Sequence, residues 1–152
     1  MDLLLDAAAY PELRSDIDIA FLGLTEYQVG LERQQQEFQR VLRGEIKASI
    51  LILEHPPTFT AGRRTNDDER PSDGTPVVDV DRGGKITWHG PGQLVVYPII
   101  KLVDFKLTPR TWVALLETAV IDTLALCGVS ATTDPINPGV WVGSQKICAI
   151  GI

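Results

Sequence analysis

Lys146 and Cys148 stand two residues apart in "KICAIGI", within an otherwise apolar stretch. In extended backbone that spacing places two side chains on one face. An ammonium beside a thiol favours the thiolate, which is the form that attacks a carbonyl carbon. A lysine deprived of water also gives up its proton more readily and can serve as a base. The plainer reading is a lysine near a hairpin turn whose ammonium reaches water, and a cysteine packed as a small apolar group. On the residues alone, the plainer reading is favoured for both.

A second concentration of chemistry is "RGGKITWHGPGQLVVYPII", residues 82–100. Gly83, Gly84, Gly90 and Gly92 let a ligand approach the backbone closely. Arg82 places a charge at the mouth, and Pro91 stiffens the turn before an apolar run. Thr87 and His89 share a face if the segment is extended. Rigid strands flanking exposed backbone donors make a pocket wall; the alternative is a glycine-rich turn that holds nothing. The spacing matches neither a dinucleotide fingerprint nor a phosphate loop. His55 and His89 are far apart in sequence and no cysteine lies at zinc-site spacing from either, so no metal centre is expected.

These groups need elements to hold them. "IAFLGL" (residues 19–24) reads as a strand, with Thr25 as a helix N-cap and Gln28 completing a capping box. Tyr27, Leu31, Phe38 and Leu42 recur at helical spacing up to a stop at Gly44. "ASILILE" (residues 48–54) is a buried strand ended by His55-Pro56-Pro57. Residues 63–76 are a polar surface loop. "VVDV" (residues 77–80) and "LVVYPIIKL" (residues 94–102) are strands either side of the glycine loop. Thr108 with Pro109 opens a second helix, whose apolar face is Trp112, Leu115, Leu116, Ala119, Val120 and Leu124 and which stops at Gly128. "VWV" and "KICAIGI" form a hairpin about Gly143-Ser144. Strands and helices alternate irregularly, as in a mixed α/β or α+β domain.

With 152 residues, 44% hydrophobic and 22% charged, the chain suits one globular domain with a real core. No apolar run nears the roughly 18 residues that span a bilayer. The first residues, "MDLLLDAAAYPELRSD", open with Asp2 and lack a basic leader, so they make a poor signal peptide. Cys127 and Cys148 are expected as buried, reduced thiols. A net charge of −6 excludes a general nucleic-acid binder. Arg63, Arg64, Arg82, Lys85, Lys101, Lys106 and Arg110 nevertheless fall in the middle of the chain. They form either a local basic face that steers an acidic partner or an ordinary solvated surface, and charge pattern favours neither.

"LILEHPPTFTAGRRT", "RGGKITWHGPGQLVVYPII" and "GVWVGSQKICAIGI" together resemble the octanoyltransferases of lipoate biosynthesis, the lipoyl(octanoyl) transferase family. The resemblance runs from about the first strand to the last residue, and the stretch from RGG to YP is its most specific part. It implies an α/β (α+β) fold, a mixed sheet flanked by helices, like that of biotin and lipoate protein ligases. It implies transfer of an octanoyl group from octanoyl-acyl carrier protein to a lysine of the lipoyl domains of 2-oxoacid dehydrogenases and of the glycine-cleavage H protein. The route is a cysteine thioester, with a lysine lowering the pKa of that thiol and no cofactor required. Position by position, the resemblance makes Lys146 the catalytic lysine. Arg82, Gly83, Gly84, Lys85, Ile86, Thr87, Trp88 and His89 become an acyl-substrate-binding segment, and Ala149, Ile150 and Gly151 a second one. The basic residues then have a use, since acyl carrier proteins are acidic.

The family's nucleophilic cysteine belongs to a "PCG"-type motif that these 152 residues do not contain, and Cys148 does not occupy its position. The expectation is one catalytic domain over residues 1–152, incomplete at its C-terminal end and cytoplasmic, inactive and poorly stable in isolation. Two alternatives accompany it. One is an ATP-dependent lipoate or biotin ligase, against which "HGPGQ" favours the transferase. The other is a non-catalytic remnant that binds an acyl chain or carrier protein, favoured for the chain as it stands by the missing motif.

Overall fold

Ala48–Glu54 (β2) is the strand on which the first half of the molecule is assembled. Its continuous apolar run suits a strand flanked on both edges. Ile17–Leu24 (β1) lies parallel to it on one side and Val95–Ile100 (β6) antiparallel on the other. Parallel neighbours need a crossover, and Tyr27–Leu42 (α1) supplies it. The structure is a computed structural model and describes residues 17–152, so the reading of the first residues as a poor leader lies outside the described residues. No helix among the described residues is long and apolar enough to cross a membrane.

Leu51, Leu53 and Val95 form the buried core, with Ala20, Leu22, Tyr97 and Ile99 packed against them. The register explains the grouping: Ala20, Leu51 and Tyr97 form one rung, and Leu53 faces Val95. The other face carries the rungs Ile19–Ile50–Pro98 and Phe21–Ile52–Val96. Helix α1 packs on β2 and β6. Its Glu37 is only 1% exposed and is held by Arg33 at 2.8 Å and Arg40 at 2.7 Å. Arg40 also reaches Asp18 on β1, tying helix to strand.

The expected cap at Thr25 does not form. Glu26 is the N-cap residue and makes no side-chain capping bond. The Thr25 amide donates to Glu54 O at 2.8 Å and its hydroxyl turns back to Leu22 O at 3.1 Å. Thr25 therefore continues the contacts of β1 with β2, which outcompete the local cap.

Three short strands were not anticipated: Thr58–Ala61, Thr87–His89 and Thr132–Thr133. Thr58–Ala61 (β3) is the middle of a second sheet, parallel to Val77–Asp79 (β4) and antiparallel to Thr87–His89 (β5). Part of the expected glycine loop is thus a strand.

The described residues divide into two compact units. The first runs through Asp81 and resumes at Lys85–Lys101; the second comprises Arg82–Gly84 and Leu102–Ile152. In the second, Pro109–Leu126 (α2) begins as expected: Thr108 and Thr111 cap each other reciprocally, with proline at the start. Its inward stripe is rotated from expectation. Leu115 and Ala119 are exposed, while Val113, Glu117 and Ile121 are half-buried alongside Trp112, Leu116, Val120 and Leu124. Cys127 ends the helix and is exposed, not buried, because the chain turns away there.

Thr132–Thr133 (β7), Val140–Val142 (β8) and Gln145–Cys148 (β9) make a third sheet, with the expected turn at Gly143-Ser144. Strand β9 stops at Cys148, short of the expected run to Ile152. Gly139, which precedes β8, has φ 127°, so the partner strand bends away and the ladder ends.

Candidate functional site

Lys146 lies on β9 opposite Trp141. Its ammonium donates to Pro138 O at 2.9 Å and sits 4.9 Å from the centre of the Trp141 ring. The Trp141 indole N–H donates to Asn137 O at 3.0 Å, which fixes the ring. The turn carrying Asn137 and Pro138 is itself organised by Asp134, whose carboxylate accepts from the amides of Ile136 at 2.7 Å and Asn137 at 2.9 Å. Those two amides, Asn137 first, hold the Asp134 carboxyl below the usual carboxylate range, with a further pull from the Lys146 ammonium. Lys146 is exposed, so it is a solvated cation held in a fixed place, not a lysine stripped of water.

Lys146 and Cys148 do not share a strand face as their spacing suggests. The register shifts between Val140 and Trp141, so Lys146 pairs with Trp141 and Cys148 with Val140. Adjacent residues of β8 point to opposite faces, and a bulge at Ile147 carries that opposition across to β9. Burial pushes the Cys148 thiol up from its ordinary range; Lys146 opposes this and Glu117 adds to it. A thiol so placed is a poor nucleophile.

Arg82, Gly83 and Gly84 belong to the same unit as Lys146 and lie along the last residues of the chain. The Gly83 amide points to Ile152 O at 3.5 Å. A β-carbon on Gly151 would sit 3.0 Å from Arg82 Cδ, so the arginine stem lies over bare backbone. Arg82 Nη1 donates to Gly83 O at 2.9 Å, curling the guanidinium back over its own glycines. The start of the stretch 82–89 is therefore brought beside Gly151, the last residue of the stretch 149–151, while residues 85–89 are not.

Lys85, Ile86, Thr87, Trp88 and His89 belong to the first unit. Strand β5 runs into a turn in which the Gln93 amide donates to Gly90 O at 3.0 Å. Pro91 and Gly92 are its central residues, and Gly92 has φ 85°, as a type II turn requires. The Gly92 amide donates to the Glu54 carboxylate at 2.7 Å, anchoring the turn to β2. The two histidines, remote in sequence, are neighbours in space with ring centres 5.8 Å apart. His55 is fully buried, its Nδ1 2.7 Å from Thr25 O and its Nε2 2.9 Å from the Tyr97 hydroxyl. A carbonyl only accepts, so Nδ1 carries the proton and Nε2 accepts from Tyr97. Tyr27 completes the aromatic group, 5.0 Å from His55 and 6.2 Å from His89 between ring centres.

The basic residues are less available than their spacing in sequence suggests. Of those singled out, Arg63 pairs with Asp81 and Lys85 with Glu69; Arg70, which was not among them, pairs with Asp79. Sequence reading weighed His55 only as a metal ligand and Tyr27 only as helix packing, and it passed over Tyr97 near His55, Glu54 beneath the Gly92 turn, and Glu117, Pro138 and Trp141 around Lys146. The "PGVW" run leading into β8, and a carboxylate within the inward stripe of α2, were the signals available for the second group.

The fold defines a class, that of the lipoate protein ligases. A putative lipoate protein ligase from T. acidophilum with bound lipoic acid aligns with a TM-score of 0.63 at 13% identity, covering 87% of this chain and 60% of that one. Lipoate-protein ligase A bound with ATP gives 0.56 at 14% identity, covering 87% and 58%. The sequence then fixes the family: residues 26–152 match the lipoyl protein ligase A/B catalytic domain, and the chain belongs to that family. The octanoyltransferase of Acidothermus cellulolyticus is 47% identical over 135 residues, covering 86% of this chain and 61% of that protein. That of Leifsonia xyli subsp. xyli is 47% identical over 133 residues, covering 84% and 59%. The chain thus spans about six-tenths of the length of these curated relatives.

Proposed function

We propose that this chain is the acyl-handling part of an octanoyltransferase that passes an octanoyl group from octanoyl-acyl carrier protein to a lipoyl-domain lysine. The acceptors are the lipoyl domains of 2-oxoacid dehydrogenases and the glycine-cleavage H protein, in the cytoplasm, and the two units act as one catalytic domain. A thioester on a cysteine carries the acyl group. The Lys146 ammonium lowers the pKa of that thiol and so favours the thiolate, and the backbone at residues 82–84 and 149–151 meets the acyl thioester. Residues 85–89 continue the acyl-binding segment in sequence, as the resemblance implies. The observation that carries the reading is the 47% identity to octanoyltransferases, within a family match that spans both binding stretches and Lys146. The fixed ammonium of Lys146 supports it, since a cation held still beside a thiol favours the thiolate.

The test is to incubate a polypeptide that carries residues 1–152 together with the family's nucleophilic-cysteine motif, with octanoyl-acyl carrier protein and an apo lipoyl domain, following octanoylation by intact mass. Transfer without ATP is expected. Modification of the lipoyl domain that requires ATP and free acid would make the protein a ligase instead.

A further inference from the structure

Pro138 O and Gly139 N belong to one peptide group, and that group is gripped from both ends. The Lys146 ammonium donates to the carbonyl at 2.9 Å, while the Glu117 carboxylate of α2 accepts from the amide at 2.8 Å. In a trans peptide the two bonds point in opposite directions. Carboxylate, peptide and ammonium therefore form one polarised line, with the positive end of the peptide toward Glu117 and its negative end toward Lys146.

We propose that Glu117 is a positioning residue for Lys146, acting through this peptide. The peptide needs a restraint. Gly139 has φ 127°, a conformation that a side chain rarely adopts, and glycine leaves the preceding peptide free to rotate. The site also excludes a side chain: a β-carbon on Gly139 would lie 2.5 Å from Cys148 O and 3.4 Å from Lys146 Cε. The lysine stem runs over the bare α-carbon and its head meets the preceding carbonyl. Were the peptide to turn over, that carbonyl would leave and an amide proton would face the ammonium. Glu117, half-buried on a regular helix, blocks this by holding the amide in its present direction. Trp141 and Asp134 shape the surroundings of Lys146, but neither contacts the Gly139 amide in the bonds described.

The consequence for transfer rests on the reading of Lys146 given above; the positioning itself does not. The experiment uses the chain labelled with 13C and 15N in lysine and glycine, in Glu117→Leu, Glu117→Gln and Gly139→Ala forms. Glu117→Leu removes the acceptor and is expected to speed exchange of the Gly139 amide at least about tenfold, the loss of one hydrogen bond of ordinary strength. It is also expected to move the Lys146 Cε and Nζ resonances toward those of free lysine. Glu117→Gln keeps an acceptor oxygen and is expected to retain both signatures. Gly139→Ala disturbs the same peptide without touching the helix, and should shift Lys146 even if the leucine variant folds poorly. In the transfer assay, Glu117→Leu is expected to lower kcat on the order of tenfold with KM little changed, the scale of a misplaced catalytic group, and Glu117→Gln to restore most of it. Unchanged Lys146 resonances in Glu117→Leu and Gly139→Ala would overturn the proposal. So would a glutamine variant as impaired as the leucine one, because charge and not direction would then be at work. Shifted resonances with undiminished transfer would uphold the positioning and sink the catalytic role of Lys146.

Discussion

The indole of Trp88 occupies the space in which a side chain at Gly90 would stand. A β-carbon there would lie 2.1 Å from Trp88 Cζ2 and 2.2 Å from Cη2. The glycine that opens the turn after β5 is thus fixed by its neighbour's ring. Gly90→Ala is expected to displace Trp88 and lower stability by about 1–3 kcal/mol, the usual cost of overpacking. Urea denaturation measures it, and a loss below experimental error would show that the ring moves aside freely.

His55 offers a second test in the same unit. Its buried ring takes a hydrogen bond from Tyr97 and lies 2.9 Å from where a β-carbon on Gly30 would be. Tyr97→Phe leaves Nε2 buried without its donor and should cost about 1–3 kcal/mol. Thermal unfolding of the variant, with His55 Nε2 followed by 15N NMR, decides it. An unchanged melting temperature would mean that water replaces the hydroxyl.

Cys148 should be a slow thiol. Burial raises its pKa above the ordinary value of 9.0, against the pull of Lys146. The folded protein therefore holds this proton more tightly than the unfolded chain. The associated stability is present below the ordinary thiol range and is lost as pH rises through the raised value. Alkylation of Cys148 by iodoacetamide at neutral pH should lag behind that of the exposed Cys127, and Cys148→Ala should flatten the alkaline fall in stability. Incubation with octanoyl-acyl carrier protein should leave Cys148 unmodified by intact mass; an octanoyl thioester mapped to it would reverse its assignment as packing.

Lys146→Ala should abolish most transfer in a transfer-competent polypeptide, by about 100-fold or more, the range of a lost electrostatic stabiliser. Lys146→Arg keeps the charge that favours the thiolate and should recover part of it. Near-normal turnover in Lys146→Ala would leave the lysine a structural role only.

What could be read in the sequence divides along a physical line. Strand β2 and the start of α2 were legible because their causes are local: a continuous apolar run, and a threonine followed by proline. Strands β3 and β5 were not, because four and three residues carry too little periodicity and their partners lie up to about thirty positions away. Thr25 has the residue type of a cap, yet the partner that claims its amide, Glu54, comes from another strand. Lys146 could be picked out as a charge in an apolar strand. Its separation from Cys148 could not, since the bulge at Ile147 exists only in the pairing with β8. Glu117 and Gly139 are 22 positions apart, and no local pattern joins them.

The pairing of Arg63 with Asp81, Arg70 with Asp79 and Lys85 with Glu69 has a kinetic consequence. A cation and an anion in contact act at a distance as a dipole, whose field fades faster than that of a single charge. The 152 residues carry a net charge of −6, and these paired cations offer an approaching acidic protein little long-range attraction. Encounter with such a protein should proceed at an ordinary docking rate, about 10⁵–10⁷ per molar per second, and respond weakly to added salt. Selection among partners would come after collision, in how long the complex lasts.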